Sequence, residues 1–132
     1  MNRSQEREQA FIVLFENIFH PDSPVGELFA LAEESEFFSE TEFSRRLAET
    51  AVEHLPEIDT EIESYAVDWS LSRITKVSLA ILRLAICEIL YFDDIPVSVS
   101  INEAVELAKK YASEKDGSFI NGVLGSVARA QR

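Results

Sequence analysis

Residues 77–92 read VSLAILRLAICEILYF, a stretch that is apolar on nearly every side of any helix it could form. A helix tolerates this only when neighbours surround it, so the stretch, opening near Thr75 and closing at Phe92, predicts the central helix of an all-α domain. Two charged residues interrupt it. Arg83 has to find a partner or face an interface, because a guanidinium keeps its proton inside a protein. Glu88 lies five positions on, about 140° around a helix, so the two do not simply pair with each other. Either they anchor neighbouring elements or they touch a partner protein. Lys76, Ala80, Arg83 and Cys87 recur at helical spacing on one stripe, which makes Lys76 and Arg83 the candidate partner-binding residues.

Beyond the central stretch, Asp93, Asp94, Ile95 and Pro96 end the helix, and Ser100-Ile101-Asn102-Glu103 has the spacing of a capping box. An inward stripe of Ile101, Ala104, Val105, Ala108 and Tyr111 follows, with Lys109 and Lys110 suited to a negative helix C-terminus. Lys115-Asp116-Gly117-Ser118 reads as a turn into a last helix, with Phe119 or Ile120, Val123, Leu124 and Val127 inward. On the N-terminal side, Trp69, Leu71 and Ile74 form a corner where the indole is expected to anchor the joint between the two halves by packing in the core. Before it comes a helix carrying Ile58, Ile62 and Tyr65, started by Pro56. A further helix opens at Ser39-Glu40-Thr41-Glu42 with Phe43, Leu47, Ala51 and Val52 inward, and Ser23-Pro24 opens a short one with Val25, Leu28, Phe29 and Ala32. The first runs from about Ser4 to Phe19, with Phe11, Leu14, Phe15 and Ile18 on one face, and stops before Pro21. Six or seven helices result, without an internal repeat.

The 132 residues make one domain, and 46% apolar content can fill a single core without metal or disulfide staples. The one cysteine, Cys87, sits in the apolar stretch and reads as a small core residue. No run of about 18 uncharged apolar residues occurs, and the polar start MNRSQEREQ is unlike a signal peptide, so the cytoplasm is the expected address and no membrane is involved. His20 and His54 lie at neither metal-ligand nor triad spacing, and Gly117, Gly122 and Gly125 do not form a phosphate loop after a strand. Neither a metal nor another cofactor is expected, and no catalysis. Residues 1–70 hold 4 basic and 17 acidic side chains, while residues 71–132 hold 8 and 7, so a broad basic surface for nucleic acid is absent and only a small local site is open.

Trp69, LRLAICEIL from Leu82 to Leu90, Ile95-Pro96, INEAVELAKKY from Ile101 to Tyr111, and FINGVL from Phe119 to Leu124 occur in an order and spacing that resemble the NusB family of transcription antitermination proteins. The start of the chain also fits, with Arg3, Arg7 and Gln9-Ala10-Phe11 in place of a short basic segment followed by an aliphatic run. The resemblance implies about seven helices in two packed subdomains, near 1–70 and 71–132. It also implies binding to boxA-type single-stranded RNA of ribosomal RNA leaders together with the ribosomal protein NusE, and through other Nus factors a link to the RNA polymerase elongation complex. The RNA contacts it implies are Arg3, Arg7, Lys115, Gly117, Ser118, Phe119 and Asn121. A few cations plus aromatic stacking can hold single-stranded RNA, and backbone donors at a helix start favour phosphate. Phe119 is equally placed to be a core residue.

The chain departs from the family in two places. Glu6 and Glu8 interleave with Arg3 and Arg7, where members often carry dense arginine, so RNA affinity alone is expected to be weak. In the central helix Leu82-Arg83 is retained, but Ser78 and Leu79 replace a charged pair often seen a turn earlier, which bears on partner contacts at that face. A protein-interaction module of the same fold with little RNA affinity is therefore the alternative. The NusB-like region of an RNA cytosine methyltransferase is a third reading, to be decided by an adjoining reading frame.

Overall fold

The computed structural model describes residues 1–34 and 39–131. Among them are seven α-helices: α1 (Arg3–Phe19), α2 (Val25–Ala32), α3 (Glu42–Glu53), α4 (Leu55–Tyr65), α5 (Lys76–Tyr91), α6 (Val97–Tyr111) and α7 (Glu114–Ala130), with a 3-10 turn at Leu71–Arg73. None of the described helices is long and apolar enough to cross a membrane.

The stretch at 77–92 is the hub. Thr75 caps α5 by accepting from the Ser78 backbone N–H at 3.2 Å, and eleven of its sixteen residues are buried. It packs against α1, α3, α4, α6 and α7, which is why apolar side chains were needed all round it. Ile81, Leu82 and Ile86 are wholly buried, each removal from water contributing roughly 1.5–3 kcal/mol. Cys87 is buried with them, and burial pushes its thiol pKa up, as expected of an inert core cysteine.

Several helix starts differ from the sequence reading, through a competing cap at α3 and α7 and through a proline directly before the helix at α2 and α6. Thr41, not Ser39, caps α3: its Oγ1 accepts from the Ser44 N–H at 3.2 Å while Ser44 Oγ accepts from the Thr41 N–H at 2.9 Å. Thr41 also donates to Glu6 of α1 at 2.5 Å, and this tertiary bond selects it. Pro24 rather than Ser23 precedes α2, with no side-chain cap. The chain enters α6 at Val97, directly after Pro96. Ser100 therefore lies inside the helix, buried, and its hydroxyl donates to Glu88 at 2.9 Å instead of capping. Ser113 caps α7, so Lys115–Ser118 is helix and not turn. Gly117 misled because it reads as a breaker; it is buried, with space for a Cβ at 3.8 Å from that of Ala108. Asp68, at φ 68°, takes the left-handed conformation that turns the chain between α4 and the 3-10 segment.

Candidate nucleic-acid interface

Ser113 sets the geometry of the α7 start. Its Oγ accepts from the Asp116 N–H at 3.1 Å and donates to the Asp116 carboxylate at 2.7 Å. From there the 3.6-residue period divides the predicted RNA residues between two faces. Lys115 and Phe119, one turn apart, line a cavity of about 230 Å³ with Trp69, Arg73 and Ser78. Gly117, Ser118 and Asn121 line a separate groove of about 310 Å³ with Asn102 and Lys109 of α6. Ser118 and Asn121 are exposed, whereas Gly117 is buried and offers only backbone.

Phe119 is half-buried and Ile120 wholly buried, so Ile120 is the core residue of this turn. Trp69 departs from expectation. Its side chain is 42% exposed, and its ring lies 5.7 Å from that of Phe119 instead of filling the core. The Arg73 guanidinium stands 5.4 Å from the indole centroid, within cation–π range. Sequence reasoning missed Arg73 and Ser78; the only available signal was their position flanking Thr75, beside the Trp69 corner.

The N-terminal arginines do not join this patch. Arg7 is buried, and its Nε donates to Glu88 at 2.7 Å. Ser100 donates to the other Glu88 oxygen, so α1, α5 and α6 meet in one satisfied polar cluster. Arg7 is thereby withdrawn from the RNA set: a cation held inside the fold has no face to offer a phosphate. Arg3 stays accessible, 61% exposed, but pairs with Glu6 at 3.0 Å and sits 3.9 Å over the Phe43 ring. Arg7 meets α5 at Glu88, and Ser78 at the α7 patch is ten residues earlier, roughly 15 Å along the helix axis. Arg3 lines a different pocket, with Glu6, Glu42, Phe43 and Arg46, so Arg3 and Lys115 belong to separate basic points.

The expected partner face on α5 also divides. Lys76 is exposed at the first position of the helix. Arg83 turns to α4, where Nε and Nη2 each donate to Asp59 at 2.9 Å. Ala80 and Cys87 on the same stripe are wholly buried, so Lys76 and Arg83 do not form one open surface.

A second polar join links α1 to the end of α6. Glu8 accepts from Tyr111 Oη at 2.5 Å and pairs with Lys110. Burial opposes ionisation of Glu8, but the bonds from Lys110 and Tyr111 prevail and hold its carboxyl below the ordinary value. Burial and the bond to Glu8 push the Tyr111 phenol up to about 12. The aromatic rings of Tyr111 and Phe11 lie 5.0 Å apart beside it.

A model of the NusB family matches residues 4–129. The transcription antitermination protein NusB of Agathobacter rectalis is 43% identical, the match covering 97% of this chain and all of that protein. The protein of the same name from Natranaerobius thermophilus is 42% identical over 97% of this chain and 95% of its own length. Among solved structures, a complex of the antitermination factors NusB and NusE with double-stranded RNA aligns at a TM-score of 0.86 with 34% identity, covering 97% of this chain and 96% of that one. T. maritima NusB aligns at 0.81 with 34% identity, covering 98% and 92%.

Proposed function

Because the chain belongs to the NusB family, we propose that it acts as an RNA-binding adaptor in transcription antitermination, working with NusE on boxA-type single-stranded RNA of ribosomal RNA transcripts. It acts by binding and not by catalysis. Its place is the cytoplasm, where other Nus factors would connect it to the elongating polymerase. The observation that carries the RNA reading is the half-buried Phe119 ring on the first turns of α7, one turn from Lys115 and beside Trp69 and Arg73. An aromatic platform flanked by cations is what an unstacked RNA strand requires. Ser118 and Asn121 supply polar groups in the neighbouring groove, and Arg3 a more distant phosphate contact.

A second reading, a protein-interaction module with little RNA affinity of its own, is favoured by the burial of Arg7 and the pairing of Arg3 with Glu6. Titrating labelled boxA-type RNA with the protein alone, and again with NusE present, distinguishes the two. The adaptor reading expects weak binding alone and tighter binding with NusE. Arg3, Arg73 and Lys115 offer about three phosphate contacts, so log affinity should fall against log salt with a slope near −2, from about −0.7 per contact. Binding in neither arrangement would leave the interaction module.

A further inference from the structure

The outer face of α1 meets α2 in a groove of about 570 Å³ that shares no residue with the α7 patch. Ile12, Leu28 and Leu31 make its apolar surface, Glu16 and Glu27 flank it, and His20 lies at the end where α1 gives way to α2. Leu31 is 58% exposed. Phe19, 52% exposed, prolongs the strip, because it follows Glu16 by three residues and Ile12 by seven on α1. Nearby carboxylates are used within the fold: Glu6, Glu8, Glu40 and Glu49 all sit in ion pairs. The exposed carboxylates of Glu16 and Glu27 have no such partner among the described residues. Contiguous apolar surface rimmed by unused charge marks a contact face.

The sign of that charge selects the occupant. Free carboxylates repel RNA phosphates and anionic lipid headgroups, and a second copy of a chain with net charge −12 brings more of the same sign. A cationic protein segment is attracted instead. A groove between two helices suits a third helix laid along it, and Ile12 to His20 span roughly 12 Å, about two turns. None of Lys76, Lys115 and Phe119, on which the NusE and RNA readings rest, lines the groove. We propose that it docks a basic amphipathic helix of a protein other than NusE, with apolar side chains on Ile12, Leu28 and Leu31 and Lys or Arg side chains on Glu16 and Glu27. The site stands whether or not the α7 face binds RNA.

The chain has two histidines. His20 lines the groove, while His54 is stacked on Tyr91 at 4.2 Å, so their imidazole resonances give a local reporter and an internal control. The test titrates the full chain with two labelled Leu/Lys peptides of about 14 residues, roughly four helical turns. One carries leucines at i, i+3, i+4 and i+7; the other has the same residues reordered so that the leucines share no face. The groove predicts that the first binds about tenfold tighter and moves the His20 resonances but not those of His54. Leu31→Gln should weaken it about tenfold, and Glu16→Gln with Glu27→Gln about three- to tenfold. Melting temperatures should change little, because all three side chains are exposed. NusE and RNA affinities should stay unchanged in Leu31→Gln. Equal binding of the two peptides, or binding of neither, overturns the groove, as does an unmoved His20 or full affinity in Leu31→Gln. Weakened NusE binding in Leu31→Gln would assign the groove to NusE and overturn the additional partner.

Discussion

Arg7 and Glu88, 81 positions apart in the chain, form a 2.7 Å ion pair with side chains only 5% and 1% exposed. Glu88 also takes the Ser100 hydroxyl, so the pair is completed from three helices. Removing one member strands a buried charge, and Arg7→Ala should cost roughly 3–5 kcal/mol in chemical denaturation. Replacing both, as in Arg7→Met with Glu88→Leu, should recover most of that loss, because the desolvation penalty goes with the charges. A fold insensitive to Arg7→Ala, with RNA affinity reduced instead, would return Arg7 to the RNA surface.

Arg83 and Lys76 should separate in the same kind of measurement. Arg83 makes two bonds to Asp59 in a partly buried setting, so Arg83→Ala should lose about 1.5–3 kcal/mol. Lys76 is exposed at a helix start, where a positive charge opposes the helix dipole. Lys76→Glu should therefore leave the melting temperature unchanged or slightly raised. If Lys76 faces NusE, the same variant weakens the complex. Unchanged NusE affinity would remove Lys76 from the partner surface, and a stable Arg83→Ala would contradict the anchoring role.

The central helix could be read because burial on all sides leaves a compositional mark, and the capping Thr75 stands where the apolar run begins. Arg7 could not. A basic residue in a polar N-terminal segment looks solvent-facing until α5 brings Glu88 beside it, and no local pattern encodes a partner 81 positions away. The same applies to Ser100, whose capping spacing was sound but whose hydroxyl went to Glu88. Lys115 and Phe119 share one face of α7, and their separation from Ser118 and Asn121 depends on Lys115–Ser118 being helix. Gly117 and the competing cap at Ser113 obscured this. Trp69 was assigned to the core on size, and only the packing at the α7 start shows it at the surface.

The Glu8–Tyr111 bond gives alkaline stability a defined sign. The Tyr111 phenol is raised from its ordinary value near 10 to about 12 by burial and by its bond to Glu8. The folded state thus keeps a proton that the unfolded chain has released. Its contribution is complete below about pH 10 and is lost as pH rises toward about 12. Urea midpoints for wild type and Tyr111→Phe should converge over that interval, and the late part of an ultraviolet titration should shrink in Tyr111→Phe without vanishing, because burial also raises Tyr91. Parallel pH profiles for the two proteins would show that the bond does not bias the proton.

The assignment of the α7 start as the RNA surface is tested most directly by Phe119→Ala, with unfolding free energy and RNA affinity measured on the same preparation in the presence of NusE. A half-buried ring should cost under about 2 kcal/mol of stability, against the roughly 3–5 kcal/mol typical of a core phenylalanine. Loss of the stacking face should weaken RNA binding by about 1–3 kcal/mol, roughly five- to a hundredfold, and Phe119→Tyr should retain it. A core-sized loss of stability with RNA affinity per folded molecule intact would contradict the assignment.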